Sequence, residues 1–417
     1  MSLSELRVLY LQPAPLFGGA ERQAAEQASF LPRLGVKLTV IGGPGHALAD
    51  WMAGAPLVRF ILSSNFPSWP DQRGLKALTL PWRYVACGLR ARAEFACVLR
   101  EHPADVIVAS LPFTWIVGSL VARAAGVPIV WRAGGSKISR TQKALLWFFA
   151  RFCQPDLLLC NGDAVRELFH PLIGGPVAVL ANGVDPALFG PGAGDRTRYR
   201  PAEADLVVGF AGRLARTKHV EDVIALASSL CRTHPAVRVL VAGDGGERDW
   251  CEQLAREAGA HNLRFLGFVS DMASFYAACD IIVLPSESEG CSNVLLEAMR
   301  SEKVVVSTDI PPVLELVEHD KTGLIYPLGD VAALTHAVER LLAQPELRAE
   351  LARNARLRAS NLTAAAAAEG LVEILRSVVH RGAETTSPGR SELRDQTTTL
   401  LPPARAQAAN SHAQNTR

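Results

Sequence analysis

The strongest constraint on the fold is a rhythm in the sequence that runs twice. Short apolar runs of β-type residues alternate with longer segments of helical period. In the first half, Val8–Leu11, Lys37–Ile41, Val106–Ala109, Ile129–Arg132, Leu157–Cys160 and Val177–Leu180 read as strands. Helical patterns at Ala20–Pro32, Ala77–Arg100, Thr114–Ala125, Thr141–Phe152 and Asp163–Phe169 lie between most of them. Such alternation predicts βαβ units around a buried parallel sheet. The Gly/Pro-rich stretch Asn182–Pro201 reads as a linker. Beyond it the rhythm restarts with strands at Leu206–Ala211, Val237–Ala242, Leu263–Leu266, Ile281–Leu284, Val304–Ser307 and Leu324–Tyr326. Helices are expected near 219–231, 247–258, 272–278, 293–300 and 330–343, then at 346–359 and 362–380.

The expected organisation is an N-terminal α/β domain over 1–190, a second over 191–362, a C-terminal helix over 363–382 and a tail over 383–417. In the tail periodicity vanishes and Thr, Ser, Pro and Gln dominate, which predicts disorder. Open α/β sheets bind ligands beyond the carboxyl ends of their strands, so two facing sheets imply a cleft between the domains.

Composition narrows the function classes. With 49% hydrophobic and 20% charged residues, the bulk of the chain can bury large cores, which excludes disorder for most of it. A formal charge of +2 argues against nucleic-acid binding through global basicity. That near-neutrality conceals an asymmetry: residues 1–190 hold 18 Lys/Arg against 12 Asp/Glu, whereas residues 191–417 hold 25 against 29. Arg73, Lys76, Arg83, Arg90, Arg92 and Arg100 share one stretch with a single acid, Glu94, and with Tyr84 and Trp82. A solvated helix face and a surface for anionic membranes both fit that pattern. The eight cysteines form no CxxC pair and no metal-ligand spacing with His, so reduced thiols in a cytoplasmic protein are expected. Glu5 and Arg7 interrupt any signal peptide, and the uncharged run Val106–Ala122 is too short and too polar for a membrane span.

Three loops carry candidate chemistry. Gly18-Gly19-Ala20-Glu21-Arg22 follows the first strand and opens a helix, where glycine lets backbone approach a ligand; a plain turn fits as well. Gly212–Lys218 follows the first strand of the second domain. There Arg213 and Lys218 could converge on one anion, with a solvated basic turn as the alternative. The richest is Ser286–Met299, between an apolar strand and a helix. Glu289 and Glu297 stand eight apart, Gly290 permits a tight turn, and Ser292 or Asn293 can cap the helix. The amides of about 291–295 offer a dipole for a phosphate, and the two carboxylates could bind hydroxyls. A capped helix with two solvated acids remains the alternative. Gly243–Glu247 reads as a further glycine turn at the same edge.

The set GGAER, NGVD, GRL…K, AGDG, FLGFV and ACDIIVLPSESEGCSNVLLEAM resembles the retaining GT-B glycosyltransferases, the large family that includes glycogen and sucrose synthases and bacterial polysaccharide and lipid-glycan transferases. The resemblance spans about residues 6–380 and is most specific over 206–330. It implies two Rossmann-like doubly wound domains facing a central cleft, with the C-terminal helix packing back toward the N-domain. It further implies transfer of a sugar, with retention and without a metal or other cofactor, from a UDP- or GDP-sugar to a saccharide or lipid-linked acceptor. The setting would be cell-envelope or polysaccharide synthesis at the inner face of the cytoplasmic membrane, with no nucleic-acid partner.

Carried over residue by residue, the resemblance makes Arg213 and Lys218 the binders of the diphosphate and Glu289 the partner of sugar hydroxyls. Gly290, Cys291, Ser292, Asn293, Val294 and Leu295 would reach sugar and phosphates through their backbone. Glu297 would hold the ribose, Gly267, Phe268 and Val269 would flank the base, and Gly18 and Gly19 would close from the N-domain. Two positions depart from the family pattern. The N-domain loop that often carries a His reads Arg132-Ala133-Gly134-Gly135, with Arg132 a candidate substitute, and the usual Gly after Lys218 is His219. An NDP-sugar epimerase and a non-catalytic nucleotide-sugar-binding subunit are the rival readings.

Overall fold

The computed structural model describes residues 5–12, 23, 27, 29–43, 58–66, 80–135, 137–384 and 398–399. Two sheets, parallel throughout, carry the chain. The first is built from β1 (Leu6–Gln12), β2 (Val36–Gly42), β3 (Val58–Leu62), β4 (Val106–Ser110), β5 (Ile129–Ala133), β6 (Leu157–Cys160), β7 (Val177–Val179) and the two-residue β14 (Thr398–Thr399). Its order is β14-β7-β6-β5-β4-β1-β2-β3. The second contains β8 (Leu206–Ala211), β9 (Val237–Ala242), β10 (Leu263–Gly267), β11 (Ile281–Leu284), β12 (Val304–Thr308) and β13 (Leu324–Tyr326) in the order β10-β9-β8-β11-β12-β13. Sheets covered on both faces need continuously apolar strands. β4, β6, β11 and β12 meet that need, every residue of each being buried. The half-exposed edge strand β3 was absent from the sequence reading because Arg59 breaks its apolar run.

Helices α1 (Leu80–Glu101), α2 (Pro112–Ala125), α3 (Arg140–Phe152) and α4 (Asp163–Ile173) share one face of the first sheet. They meet it in a core that includes Phe95, Trp115, Trp131, Leu146 and Phe169, with the two indoles stacked 5.2 Å apart. Around the second sheet lie α5 (Val220–Thr233), α6 (Arg248–Glu257), α7 (Met272–Ala278), α8 (Asn293–Arg300), α9 (Pro311–Leu314), α10 (Val331–Ala343) and α11 (Pro345–Arg358). The last helix, α12 (Ala364–Glu384), leaves the second domain and returns to the first. Its Leu371, Val372, Leu375 and Val378 pack against Val8, Tyr10, Leu38 and Val108, on the sheet face opposite α1–α4. The return is tied where Val184 and Ala364 exchange backbone bonds with Leu362 and Val184 respectively.

Two expectations change on inspection. The Gly/Pro-rich stretch after β7 is no loose linker, for Phe189 is buried beside Tyr276, Arg198 pairs with Asp271 at 2.7 Å and Arg200 pairs with Asp280 at 2.8 Å. In the tail, α12 runs to Glu384, and Thr398–Thr399 pair with Ala178 and Val179 instead of lacking structure; the remainder of 383–417 lies outside the described residues.

Candidate functional site at the switch point of the second sheet

In a doubly wound sheet the strand order reverses between two neighbours, and the loops leaving those strands diverge to form a crevice. In the second sheet these neighbours are β8 and β11. The loops leaving them are Gly212–Lys218 and the segment from Pro285 to Ser292, so the fold itself brings two of the chemistry-bearing motifs to one edge.

The supporting turns are backbone against backbone. Gly212 N–H bonds the Ala242 carbonyl at 2.9 Å, and Leu214 N–H bonds that of Asp244 at 3.0 Å. At Gly243 an added Cβ would fall 1.8 Å from the Gly212 oxygen, so only glycine lets the loops after β8 and β9 lie this close. The AGDG turn thus shapes the floor under Arg213. Below β11, Ser307 and Thr308 hydroxyls donate to the Leu284 and Ser286 carbonyls at 2.8 and 2.6 Å, which pins the start of the second loop.

Lys218 Nζ lies 2.5 Å from Glu289 Oε1, with both side chains largely buried. The two residues were assigned separate roles from the sequence; the structure makes them an ion pair. Arg213 is exposed, and among the described residues its guanidinium has no hydrogen-bond or ion-pair partner. Arg216 instead stacks over Trp250 and approaches Glu247 at 3.6 Å. Ser292 occupies the N-cap of α8 but its side chain makes no capping bond, so it leaves the helix's first amides to other acceptors. Asn293 Oδ1 accepts from Asn182 Nδ2 at 2.8 Å, and the same amide donates to the Cys291 carbonyl at 2.9 Å. Asn182 of the NGVD motif therefore fixes this loop. Desolvation pushes the Cys291 thiol up to about 12, which keeps it protonated at neutral pH.

Glu297 is only 2% exposed, one turn into α8, and its Oε2 accepts the Tyr276 hydroxyl at 2.9 Å. Gly267 ends β10 at a φ of +70°, its carbonyl bonded to Gly243 N–H at 2.7 Å, and Phe268 and Val269 follow it. Phe268 is 67% exposed while Val269 is buried. Gly18 and Gly19 lie outside the described residues.

The N-domain meets this loop directly. A Cβ on Gly290 would stand 2.2 Å from the Gly134 carbonyl oxygen and 2.7 Å from Asn161 Nδ2, so the loop that lacks the family His touches the loop after β11 through backbone and an amide. Arg132, the candidate substitute for that His, donates from Nη1 to the Tyr10 hydroxyl at 2.9 Å and to Gln27 Oε1 at 2.8 Å, within its own domain. Lys137 reaches across to Glu287 at 2.6 Å, and His219 lies 3.8 Å from the same carboxylate. The Lys137 hydrogen bond holds the Glu287 carboxyl below the usual carboxylate range, against the upward pull of desolvation. Immediately after Asn161, Glu315 accepts from the backbone of Asp163 at 3.1 Å and of Ala164 at 2.5 Å, capping α4 from the opposite domain. Lys137, Asn161, Tyr276 and Glu315 carry no motif of their own, Glu287 lies in the Ser286–Met299 motif without a role assigned from sequence, and only the pairing of separate segments reveals these contacts.

The chain matches the models of two known units: "Glycosyltransferase Family 4" over residues 17–188 and "Glycosyl transferases group 1" over residues 195–358. It is 32% identical over 266 residues to glycogen synthase of Mycobacterium tuberculosis, a match that covers 62% of each chain. It is 29% identical over 343 residues to the lipopolysaccharide core biosynthesis glycosyltransferase LpsE of Rhizobium meliloti, covering 80% of this chain and 88% of that one. Among solved structures, Anabaena HepE in complex with UDP and glucose superposes with a TM-score of 0.73 at 23% identity, covering 89% of this chain and all of that one. Sucrose-phosphate synthase from Thermosynechococcus elongatus gives 0.76 at 19% identity, covering 90% and 100%. These structures share the two-domain GT-B architecture seen here. With one model on each of its two domains, the chain belongs to the GT-B glycosyltransferases, a Family 4 unit joined to a group 1 unit.

Proposed function

We propose that the protein transfers a glycosyl group from a UDP- or GDP-sugar to a saccharide or lipid-linked acceptor of a cell-envelope or polysaccharide pathway, with retention of configuration and without a metal. The observation that carries this reading is the Lys218–Glu289 pair beside the N-terminus of α8 at the switch point. Breaking a bond from sugar to diphosphate requires neutralising the departing phosphates. An exposed guanidinium at Arg213, an ammonium at Lys218 and the amides of α8 are three sources of positive potential for that task. Glu289, in partnership with Lys218, can accept hydroxyls of the donor sugar while handing the ammonium to a phosphate. The buried Glu297, oriented by Tyr276, is placed one turn below as the partner of ribose hydroxyls. Attack from the leaving-group face, with a phosphate oxygen taking the acceptor proton, needs no protein nucleophile. Relatives favour the same chemistry: one is a GDP-mannose-dependent alpha-mannosyltransferase of Mycobacterium tuberculosis, 29% identical over 350 residues.

The test is nucleotide release from a panel of UDP-, GDP- and ADP-sugars, with and without saccharide and lipid-linked acceptors. Lys218→Ala and Glu297→Ala should each lower turnover by about a hundredfold or more while the folded spectrum survives. Wild-type rates in both variants would refute the site. Conversion of the donor without an acceptor would favour the epimerase, and saturable binding without turnover a non-catalytic subunit. Anomeric configuration of the product by NMR, and activity in the presence of a chelator, check retention and metal independence.

A further inference from the structure

Helix α3 is apolar on two sides. Leu146, Ala150 and Cys153 face the core, as an amphipathic helix requires. On the outer side Trp147, Phe148 and Phe152 are 48%, 51% and 59% exposed, at spacings that place them along one stripe. Phe148 touches Phe152 with ring centroids 5.1 Å apart, and the Arg151 guanidinium lies 5.0 Å above the Trp147 ring, so the aromatics form one surface. Arg140, Lys143 and Arg151 share the exposed side, and the helix contains no carboxylate. The adjoining α2 extends the pattern: its one charged residue is Arg123, which donates to the Phe152 carbonyl, and its Leu120 is exposed. A soluble domain seldom leaves three clustered large aromatics in water without an occupant.

We infer that the outer face of α3 docks on an anionic phospholipid bilayer, lying in the headgroup plane with Trp147, Phe148 and Phe152 inserted and its cations on lipid phosphates. Two arguments select this occupant. An amphipathic indole and two apolar phenyl rings, flanked by Lys and Arg, match the interfacial region of a membrane. A second copy of the chain would set the same face against itself in a two-fold interface, bringing three cations against three. No described helix is long and apolar enough to cross a membrane, so the contact would be peripheral. The location also has a use. The loop that precedes α3 carries Lys137, which bridges to Glu287, so the aromatic face begins at the rim of the cleft. A bilayer on that face would present lipid-linked molecules to the cleft. The basic stretch of α1 marked in the sequence is a separate element, where Arg90, Arg92 and Arg100 are exposed.

The experiment is co-sedimentation of the full chain with vesicles of phosphatidylcholine and phosphatidylglycerol, against phosphatidylcholine alone, at low and high salt. The assay contains no nucleotide sugar, so its outcome is independent of the chemistry assigned to the cleft. Binding should favour the anionic vesicles by more than about tenfold and weaken with salt. The double variant Trp147→Ala/Phe148→Ala and the double charge reversal Lys143→Glu/Arg151→Glu should each reduce it by about tenfold or more, with unchanged melting temperatures, whereas Arg90→Glu/Arg92→Glu should leave most of it. Brominated lipids should quench wild-type fluorescence, and Trp147→Phe should remove that quenching while the protein still binds. The proposal is overturned if anionic vesicles do not bind, if the α3 variants bind normally, if Trp147→Phe is quenched as strongly as wild type, or if ultracentrifugation shows a dimer that the aromatic variant abolishes.

Discussion

At the scale of single residues, the site depends on pairs whose members lie far apart in the sequence. Lys137 and Glu287 are one such pair, and their link is electrostatic in a way that pH can probe. A carboxyl lowered in the folded protein adds stability above its unfolded value of about 4.3 and loses it as pH falls through the lower folded value. Lys137 is more than half exposed, so screening limits the contribution to about 1 kcal/mol at most. Lys137→Ala should lower the calorimetric Tm by about 1–2 °C near neutral pH and by nothing measurable near pH 3. An equal difference at both pH values would show that the lysine acts through packing and not through charge. This pair also marks the limit of sequence reading at this scale. Arg213, Lys218, Glu289 and Glu297 were singled out because each follows a strand in a recognisable motif. The Lys218–Glu289 contact was not, because spacing says where a residue enters a loop and nothing about which loop it meets. The partners of Arg132 were hidden for the same reason: only the fold shows that Tyr10 and Gln27 hold it.

At the scale of elements, helix and strand order followed from periodicity, and errors fell where local signals compete with tertiary context. β3 escaped notice as an edge strand, and the four-residue α9 is too short for any period. Asn182–Pro201 reads as linker by composition, yet Phe189 and two Arg–Asp pairs bind it to α7 and the strand after it. The most consequential element is α12, because it completes a core to which it is not adjacent in sequence. Leu371 is wholly buried there. Leu371→Ala should cost about 2–5 kcal/mol by the lost methyl groups and the cavity left behind, measured by chemical denaturation. A cost below about 1 kcal/mol would mean that α12 merely rests on the first sheet.

For the whole molecule, the two domains are joined beside the site by contacts from two segments of the second domain. Glu287 and Gly290 meet the N-domain at Lys137, Gly134 and Asn161, while Glu315 caps α4 just beyond Asn161. Arg358 supports this second contact by donating to the carbonyls of Glu315 and Leu316 at 2.7 and 2.6 Å. Glu315→Ala removes the acceptor from two helix amides, a loss of about 1 kcal/mol of capping that falls on the interface. Its expected signature is a larger radius of gyration in small-angle scattering, with a higher KM for the donor and little change in the melting of either domain. An unchanged radius would assign Glu315 to the stability of α4 alone.

The path of α12 bears on how the protein is made. Because α12, which packs on one face of the first sheet beside Leu31, is encoded after the entire second domain, a nascent chain lacks that cover throughout synthesis of that domain. The second domain holds its own two cores and can close first, although it leaves the ribosome later. Chains stalled before Ala364 should therefore be cut by protease in the first domain and spared in the second, an order of maturation opposite to the order of translation.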